Sequence, residues 1–339
     1  MRFHLVPSLL LVLSCWFSSA FVPPSDSPRP PSSSLSARLG PTRYHLDASS
    51  RRCAYRVAPP APGFESAPSL LLIHPIGIGC ASWFWDPFVR AWSGNRLLVP
   101  DLIGCGASDR FDPRESGMFV PLDWTRQLED LCREESKGRG QVVAVSQGGM
   151  APVALSLATR QSDRWNGPRS VSRVIAATPP GYAELAGGLP AAEVRTNFAR
   201  LSSPPGRLLY PLLRLRGFVR LFSDLFLFRG GCPEEWLERC EEESHREGSE
   251  WPVFAFNSGF VVGKGYQEEL DDLARPLLIV HGGGDRLVER RRQYQRPENG
   301  GATLELVEEG NNVIPYENAE DFAAIVKKWL NVVYVDYTD

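Results

Sequence analysis

Residues 141–160 read QVVAVSQGGMAPVALSLATR, and this stretch decides the fold. Gln141–Val145 is a short continuous apolar run, the pattern of a strand buried on both faces. From Gly148 to Arg160, Ala151, Val153, Ala154, Leu157 and Ala158 take helical spacing. Between the two lies Ala144-Val145-Ser146-Gln147-Gly148, a small-x-Ser-x-small sequence entering a helix. A sharp strand-to-helix turn requires small neighbours, because the backbone at its apex is strained and the helix passes close by. Such a turn lifts the Ser146 oxygen above the sheet as a candidate nucleophile. It also aims the Gln147 N–H and the helix amino end at a developing oxyanion.

Working outward, the chain repeats this alternation. Ser69–Ile73, Arg96–Pro100, Val171–Ala177, Pro276–Val280 and Thr303–Val307 are further short apolar runs that read as strands. Ser82–Trp92, Pro121–Glu135 and Glu317–Leu330 read as helices; Leu122, Trp124, Leu128 and Leu131 mark the second of these, after its proline start. The pattern predicts an α/β fold, a doubly wound and mostly parallel sheet covered on both faces. Tyr44–Leu46 and Tyr55–Val57 predict an antiparallel edge pair. Residues 180–270, after the fourth of the six strands counted from Ser69 with Gln141–Val145 included, lack strand character and predict a helical lid. Within them Leu215, Phe218, Val219, Phe222, Leu225 and Phe226 fall on one helical face, with Arg216, Arg220, Ser223 and Asp224 on the other. A lid, a helix packed on the core and a membrane-surface helix all account for that periodicity; the last is weakened by a basic face of only two arginines.

The 339 residues carry 37 Lys+Arg against 40 Asp+Glu, a net charge of −3, with 43% hydrophobic residues. This is globular composition, and the overall charge offers no case for nucleic acid or an anionic membrane as the main partner. No apolar run reaches the roughly 18–20 residues that span a bilayer. Gly77-Ile-Gly79 lacks the third glycine of a dinucleotide fingerprint, no Gly-Lys-Ser/Thr occurs, and no His/Cys/Asp cluster has metal-ligand spacing. No cofactor or metal is therefore expected. Residues 1–20 read as a signal peptide, with an apolar run from Leu5 to Phe17 and Ser18-Ser-Ala20 at the cleavage site. Residues 21–40 read as a transit-like segment rich in Ser and Pro, and 41–339 as the folded domain. This leader resembles the bipartite address of algae with complex plastids, so a plastid is the expected location, with secretion as the alternative.

Three further motifs carry a family resemblance. His74-Pro75-Ile76-Gly77 follows the first buried strand, Asp101-Leu-Ile-Gly104-Cys-Gly106-Ala-Ser108 follows the second, and His281-Gly282-Gly-Gly-Asp285 closes the strand after the lid. Together with the Ser146 turn, these resemble the α/β-hydrolase superfamily over residues 69–330. The resemblance implies Ser146 as nucleophile, Asp285 as the triad acid, and the N–H groups of Ile76 and Gln147 as the oxyanion hole. The triad histidine is then expected after the last strand.

At that loop the chain writes Gly310-Asn-Asn-Val313-Ile-Pro315, where the family has Gly-x-Gly-His-x-Pro. Val313 stands at the base position, and a one-residue slip gives Asn312. Of the five histidines, His4 lies in the leader, His45 near the start, His74 beside the oxyanion loop, His245 in the lid and His281 on a strand end. The combined motifs resemble a cyanobacterial and plastid subset of the superfamily that lacks this histidine. Without a base, serine is a poor nucleophile. Three functions compete: a serine hydrolase of esterase or lipase type on a small apolar ester or acyl substrate; a non-catalytic binder of an isoprenoid, lipid or pigment, similar to gibberellin receptors; or a plastid scaffold. Trp83, Phe84, Trp85, Phe218 and Phe222 are the expected apolar pocket walls.

Overall fold

The computed structural model describes residues 38–110, 112–116, 121–135, 141–160, 171–261, 263, 265–271, 273, 275–284 and 302–335. Residues 1–37 of the leader and Asp285 lie outside the described residues, whereas Leu39, at the leader's end, is buried in the hydrophobic core. The strands are β1 (Arg43–Leu46), β2 (Arg52–Ala58), β3 (Ser69–Ile73), β4 (Leu97–Pro100), β5 (Val142–Gln147), β6 (Val171–Ala177), β7 (Leu277–Gly282) and β8 (Thr303–Val307). They form one eight-stranded sheet in the order β1-β2-β4-β3-β5-β6-β7-β8. The β1–β2 pair is antiparallel, as the edge pattern predicts, the β2–β4 pair is antiparallel as well, and all other pairs are parallel. Every residue of β3, β4 and β5 is buried, which is why these strands read as unbroken apolar runs without alternation.

The flanking helices include α1 (Asp86–Ala91), α2 (Pro121–Glu135) and α3 (Ala151–Arg160). The expected helix over 82–92 is divided: a 3₁₀ turn at Ser82–Trp85 precedes α1, whose first turn holds Pro87. Between β6 and β7 come α4 (Tyr182–Gly187), α5 (Ala191–Ser202), α6 (Pro204–Leu213), α7 (Arg216–Phe226), α8 (Glu234–Ser244) and α9 (Glu250–Asn257). After β8, α10 (Ile314–Glu317) leads into α11 (Ala319–Val335), which packs on α1.

The insertion between β6 and β7 shares the core of the sheet. Trp236, Leu237 and Cys240 of α8 and Trp251 and Phe254 of α9 belong to the same hydrophobic cluster as β3 and β5. Two expectations for α7 are corrected. Ser223, placed on the polar face by its spacing, is 1% exposed, and Leu215, placed on the apolar face, is 56% exposed. Leu215 precedes the helix at its cap, so the face that packs inward centres on Val219 and Ser223. The six cysteines among the described residues are buried free thiols.

A second correction concerns the turn after β5. The strand continues two residues beyond Val145, with Ser146 opposite Ala176 and Gln147 opposite Ala177 in the parallel ladder. The turn toward α3 is a 3₁₀ segment at Gly148–Met150.

Candidate active site

The functional edge of a parallel sheet is its carboxyl end, where the loops after β3, β4, β5, β6, β7 and β8 converge. The loop after β4 is the frame. Asp101 accepts from the Ser82 N–H on Oδ1 and the Ala107 N–H on Oδ2, both at 2.9 Å. Ser108 Oγ donates to the Asp101 carbonyl at 2.6 Å and accepts from the Ala54 N–H at 2.8 Å. Gly106 has φ +52°, and a Cβ there would lie 2.1 Å from the Asp101 carboxyl carbon. The spacing Asp-x-x-Gly-x-Gly-x-Ser is thus one carboxylate bound by the backbone it folds. Arg246, just past α8, donates to the Gly106 carbonyl at 3.0 Å, fastening the insertion to this loop.

The loop after β3 holds His74 and Ile76. His74 is fully buried; its Nδ1–H donates to the Pro75 carbonyl at 2.8 Å and its Nε2 accepts from the Leu102 N–H at 3.0 Å. Both ring nitrogens are engaged in a neutral tautomer, and burial pushes its pKa below the usual value against the opposing charge of Asp101. The one ring lone pair of His74 is therefore engaged by the Leu102 N–H and not free to act as a base. Ile76 is buried beside it at 8% exposure. Gly79, at φ +70°, comes so close to α8 that a Cβ would lie 2.2 Å from the Cys240 carbonyl oxygen.

The turn after β5 differs from the one expected. Ser146 is fully buried inside the strand, and its hydroxyl donates to the Ile175 carbonyl at a long 3.4 Å. The residue with left-handed backbone is Gly148, φ +57°, two positions later. A Cβ on Gly148 would meet no atom within 4 Å among the described residues. The apex of the strand-to-helix turn, where a nucleophile's side chain projects, is therefore a glycine. The residue after this apex is Gly149, not Gln147, and a Cβ there would lie 2.4 Å from the Phe256 ring of α9.

Gln147 has another role. Its Nε2 donates to the Asn312 carbonyl at 2.9 Å, and Thr178 Oγ1 donates to the same oxygen at 2.6 Å. Because Nε2 must face that carbonyl, the orientation of the amide is fixed. Its Oε1 is left buried with no hydrogen-bond partner among the described residues. Thr178, directly after β6, has φ +47°, a strained conformation for a β-branched residue. Nothing in the sequence singled out Thr178; only its place after a strand could have drawn attention to it.

The loop after β8 is fixed from both sides. The N–H groups of Asn312 and Val313 donate to the Leu227 carbonyl at 3.1 and 3.4 Å. Val313, at the base position, is 3% exposed and is the cap residue before α10. Gly282 admits this loop because a Cβ there would lie 2.2 Å from the Asn311 carbonyl oxygen. The remaining described histidines are elsewhere. His45 donates to the Gln127 carbonyl, His245 is exposed and donates to the Glu241 carbonyl, and His281 is buried within β7. Among the described residues, no three His, Cys, Asp or Glu side chains gather as metal ligands.

Trp83 of the segment after His74, Trp236 of α8 and Tyr316 of α10 form an aromatic cluster, with ring centroids 5.1 Å apart for Trp83–Trp236 and 5.0 Å for Trp236–Tyr316. Of the expected pocket walls, Trp83, Phe84 and Trp85 belong to this buried core, and Phe218 and Phe222 on α7 are half-buried. The indole N–H of Trp236 is buried with no partner among the described residues.

The profile of the alpha/beta hydrolase family matches residues 70–325. Among solved structures, a serine hydrolase involved in carbazole degradation is similar at TM-score 0.64 and 16% identity, over 86% of this chain and 98% of its own. The haloalkane dehalogenase DatA from Agrobacterium tumefaciens C58 is similar at TM-score 0.62 and 17% identity, over 89% and 100%. A thermophilic esterase from Thermogutta terrifontis is similar at TM-score 0.63 and 16% identity, over 87% and 99%. At these identities the likeness is one of fold. No protein of curated function matches the chain in sequence.

Proposed function

The chain belongs to the alpha/beta hydrolase family, and on that premise we propose that it binds a small apolar molecule above the β5 turn without cleaving it. The observation that carries this reading is Gly148, a glycine at the left-handed apex with open space where a Cβ would project. An apex glycine has no atom with which to form an acyl intermediate, and Ser146 is sealed in the strand beneath it. Val313 offers no proton acceptor at the base position, and His74 has both nitrogens engaged. These features together argue against the ester hydrolysis expected of Ser146.

The ligand's chemistry follows from the walls. The Phe256 ring of α9 lies against Gly149, beside the apex, which supports a largely apolar ligand, in keeping with an isoprenoid, lipid or pigment. The buried Oε1 of Gln147 calls for one N–H or O–H donor, since a buried acceptor without a partner is costly. The acid-poor leader supports a plastid as the place where that ligand is met. The test is solvent extraction of the purified chain followed by mass spectrometry, compared with Gly148→Asn. Asparagine tolerates positive φ, so the variant folds while its side chain occupies the space above the turn. The reading predicts a co-purifying apolar compound that is lost in Gly148→Asn. Equal retention by both proteins would overturn it.

A further inference from the structure

The net charge of −3 hides a segregation. Between Glu193 and Asp224 lie thirty residues with six arginines (195, 200, 207, 214, 216 and 220) and neither lysine nor acid. The same segment holds four of the chain's exposed large apolar side chains. Leu208 is 73% exposed, Leu212 58%, Leu215 56% and Leu221 45%. Along α6, Leu208, Pro211, Leu212 and Leu215 follow helical spacing, and Pro204 and Pro205 extend the same exposed side at its start. The opposite side of α6 is anchored by Tyr210, which is buried and whose hydroxyl donates to Ser249 Oγ at 3.2 Å.

We infer that the exposed face of α6 and the start of α7 docks the protein onto the surface of an anionic lipid bilayer, with the leucines entering the acyl boundary and the arginines at the headgroups. An exposed aliphatic row set among cations matches that environment. Two observations favour lipid over protein. A second copy placed on this face would bring a segment with no acid of its own against itself, a repulsive arrangement for a two-fold contact. The exposed row is Leu and Pro without Trp or Tyr, whereas aromatic anchors dominate protein interfaces. Arg207, Arg216 and Arg220 also pair with Glu250, Glu234 and Glu241. These pairs hold the helices to the insertion and offset those three charges, so the segment's net cation is carried by Arg195, Arg200 and Arg214, which have no acidic partner among the described residues. Arg195 and Arg200 are exposed on α5. No described helix is long and apolar enough to cross a membrane, so contact would be confined to the surface.

The test is flotation of the full chain with phosphatidylcholine vesicles and with vesicles that also contain anionic phosphatidylglycerol, whose negative surface potential attracts basic segments. The variants are L208S/L212S/L215S and R195Q/R200Q, each compared with wild type by circular dichroism and melting temperature. Because the three leucines are exposed, the first variant retains its fold. The expected result is binding to the anionic vesicles that weakens at least tenfold in the leucine variant, weakens several-fold in the arginine variant, and falls with rising salt. Three results would overturn the inference: no flotation of wild type, equal flotation of wild type and the leucine variant, or a wild-type dimer in solution that the leucine substitutions dissociate.

Discussion

Gln147 Nε2 donates to the Asn312 carbonyl at 2.9 Å, joining the end of β5 to the loop after β8. A catalytic triad needs these two elements linked by a mobile proton, passed between a nucleophile and a base. Here they are linked by a fixed amide–carbonyl bond, doubled by Thr178 Oγ1 on the same oxygen. The arrangement favours a rigid rim around the Gly148 apex and leaves one acceptor, Gln147 Oε1, directed elsewhere.

That leftover acceptor makes Gln147→Leu informative. The substitution removes one hydrogen bond of about 1 kcal/mol and also removes a buried oxygen, without a partner among the described residues, worth about 1–3 kcal/mol. Stability by urea denaturation should therefore change by less than about 1 kcal/mol or rise, while retention of the co-purifying compound falls. Loss of stability together with undiminished retention would assign Gln147 to structure alone.

Thr178→Val keeps the shape and deletes the hydroxyl. With the Asn312 carbonyl still held by Gln147, the cost should be about 1 kcal/mol in urea denaturation. A larger loss would mean that the hydroxyl also sustains the φ +47° backbone.

Two glycines with nearly equal φ should respond differently to alanine. At Gly148, φ +57°, the methyl enters open space, so the cost is the left-handed penalty of about 1–2 kcal/mol. At Gly106, φ +52°, the methyl meets the Asp101 carboxylate at 2.1–2.4 Å and breaks the frame of the site. Gly106→Ala should lose about 4 kcal/mol or more, or fail to fold. Thermal or urea denaturation of the pair checks this.

Much of the architecture was legible in the chain because it rests on local pattern. β3 and β4 are buried on both faces, so their apolar runs needed no context. The loop from Asp101 to Ser108 was readable because one carboxylate and one hydroxyl must bind the backbone at fixed spacing. The turn falls at Gly148, two residues beyond the serine that the small-x-Ser-x-small spacing singles out. Ser146 fits the spacing, but the ladder with Ala176 and Ala177 holds both Ser146 and Gln147 within β5. Only the pairing across the sheet, a non-local fact, settles which residue turns. The exposed leucines of α6 were missed for a similar reason: periodicity marks a face without saying whether anything covers it.

Burial of neutral His74 sets a pH dependence. Its folded-state pKa lies below the unfolded value of 6.5, so below that pH the unfolded chain binds more protons. This contribution to stability is present above pH 6.5 and is lost as pH falls through it, because a proton on Nε2 would face the Leu102 N–H. Denaturation midpoints measured from pH 8 to pH 5 should decline on the acid side in wild type. The decline should be shallower in His74→Gln, with His45, whose pKa burial also lowers, accounting for part of what remains.

The central claim is that this hydrolase-fold chain carries no activated serine, and covalent labelling tests it most directly. Wild type, Ser146→Ala and the double variant Gly148→Ser/Val313→His are each treated with a fluorophosphonate probe, and adducts are counted by intact mass. The account predicts no adduct on wild type or Ser146→Ala, and labelling, if any, only on the double variant, where a hydroxyl and an imidazole stand at the apex and base positions. A stoichiometric adduct on wild type that disappears with Ser146→Ala would contradict it and restore Ser146 as the nucleophile.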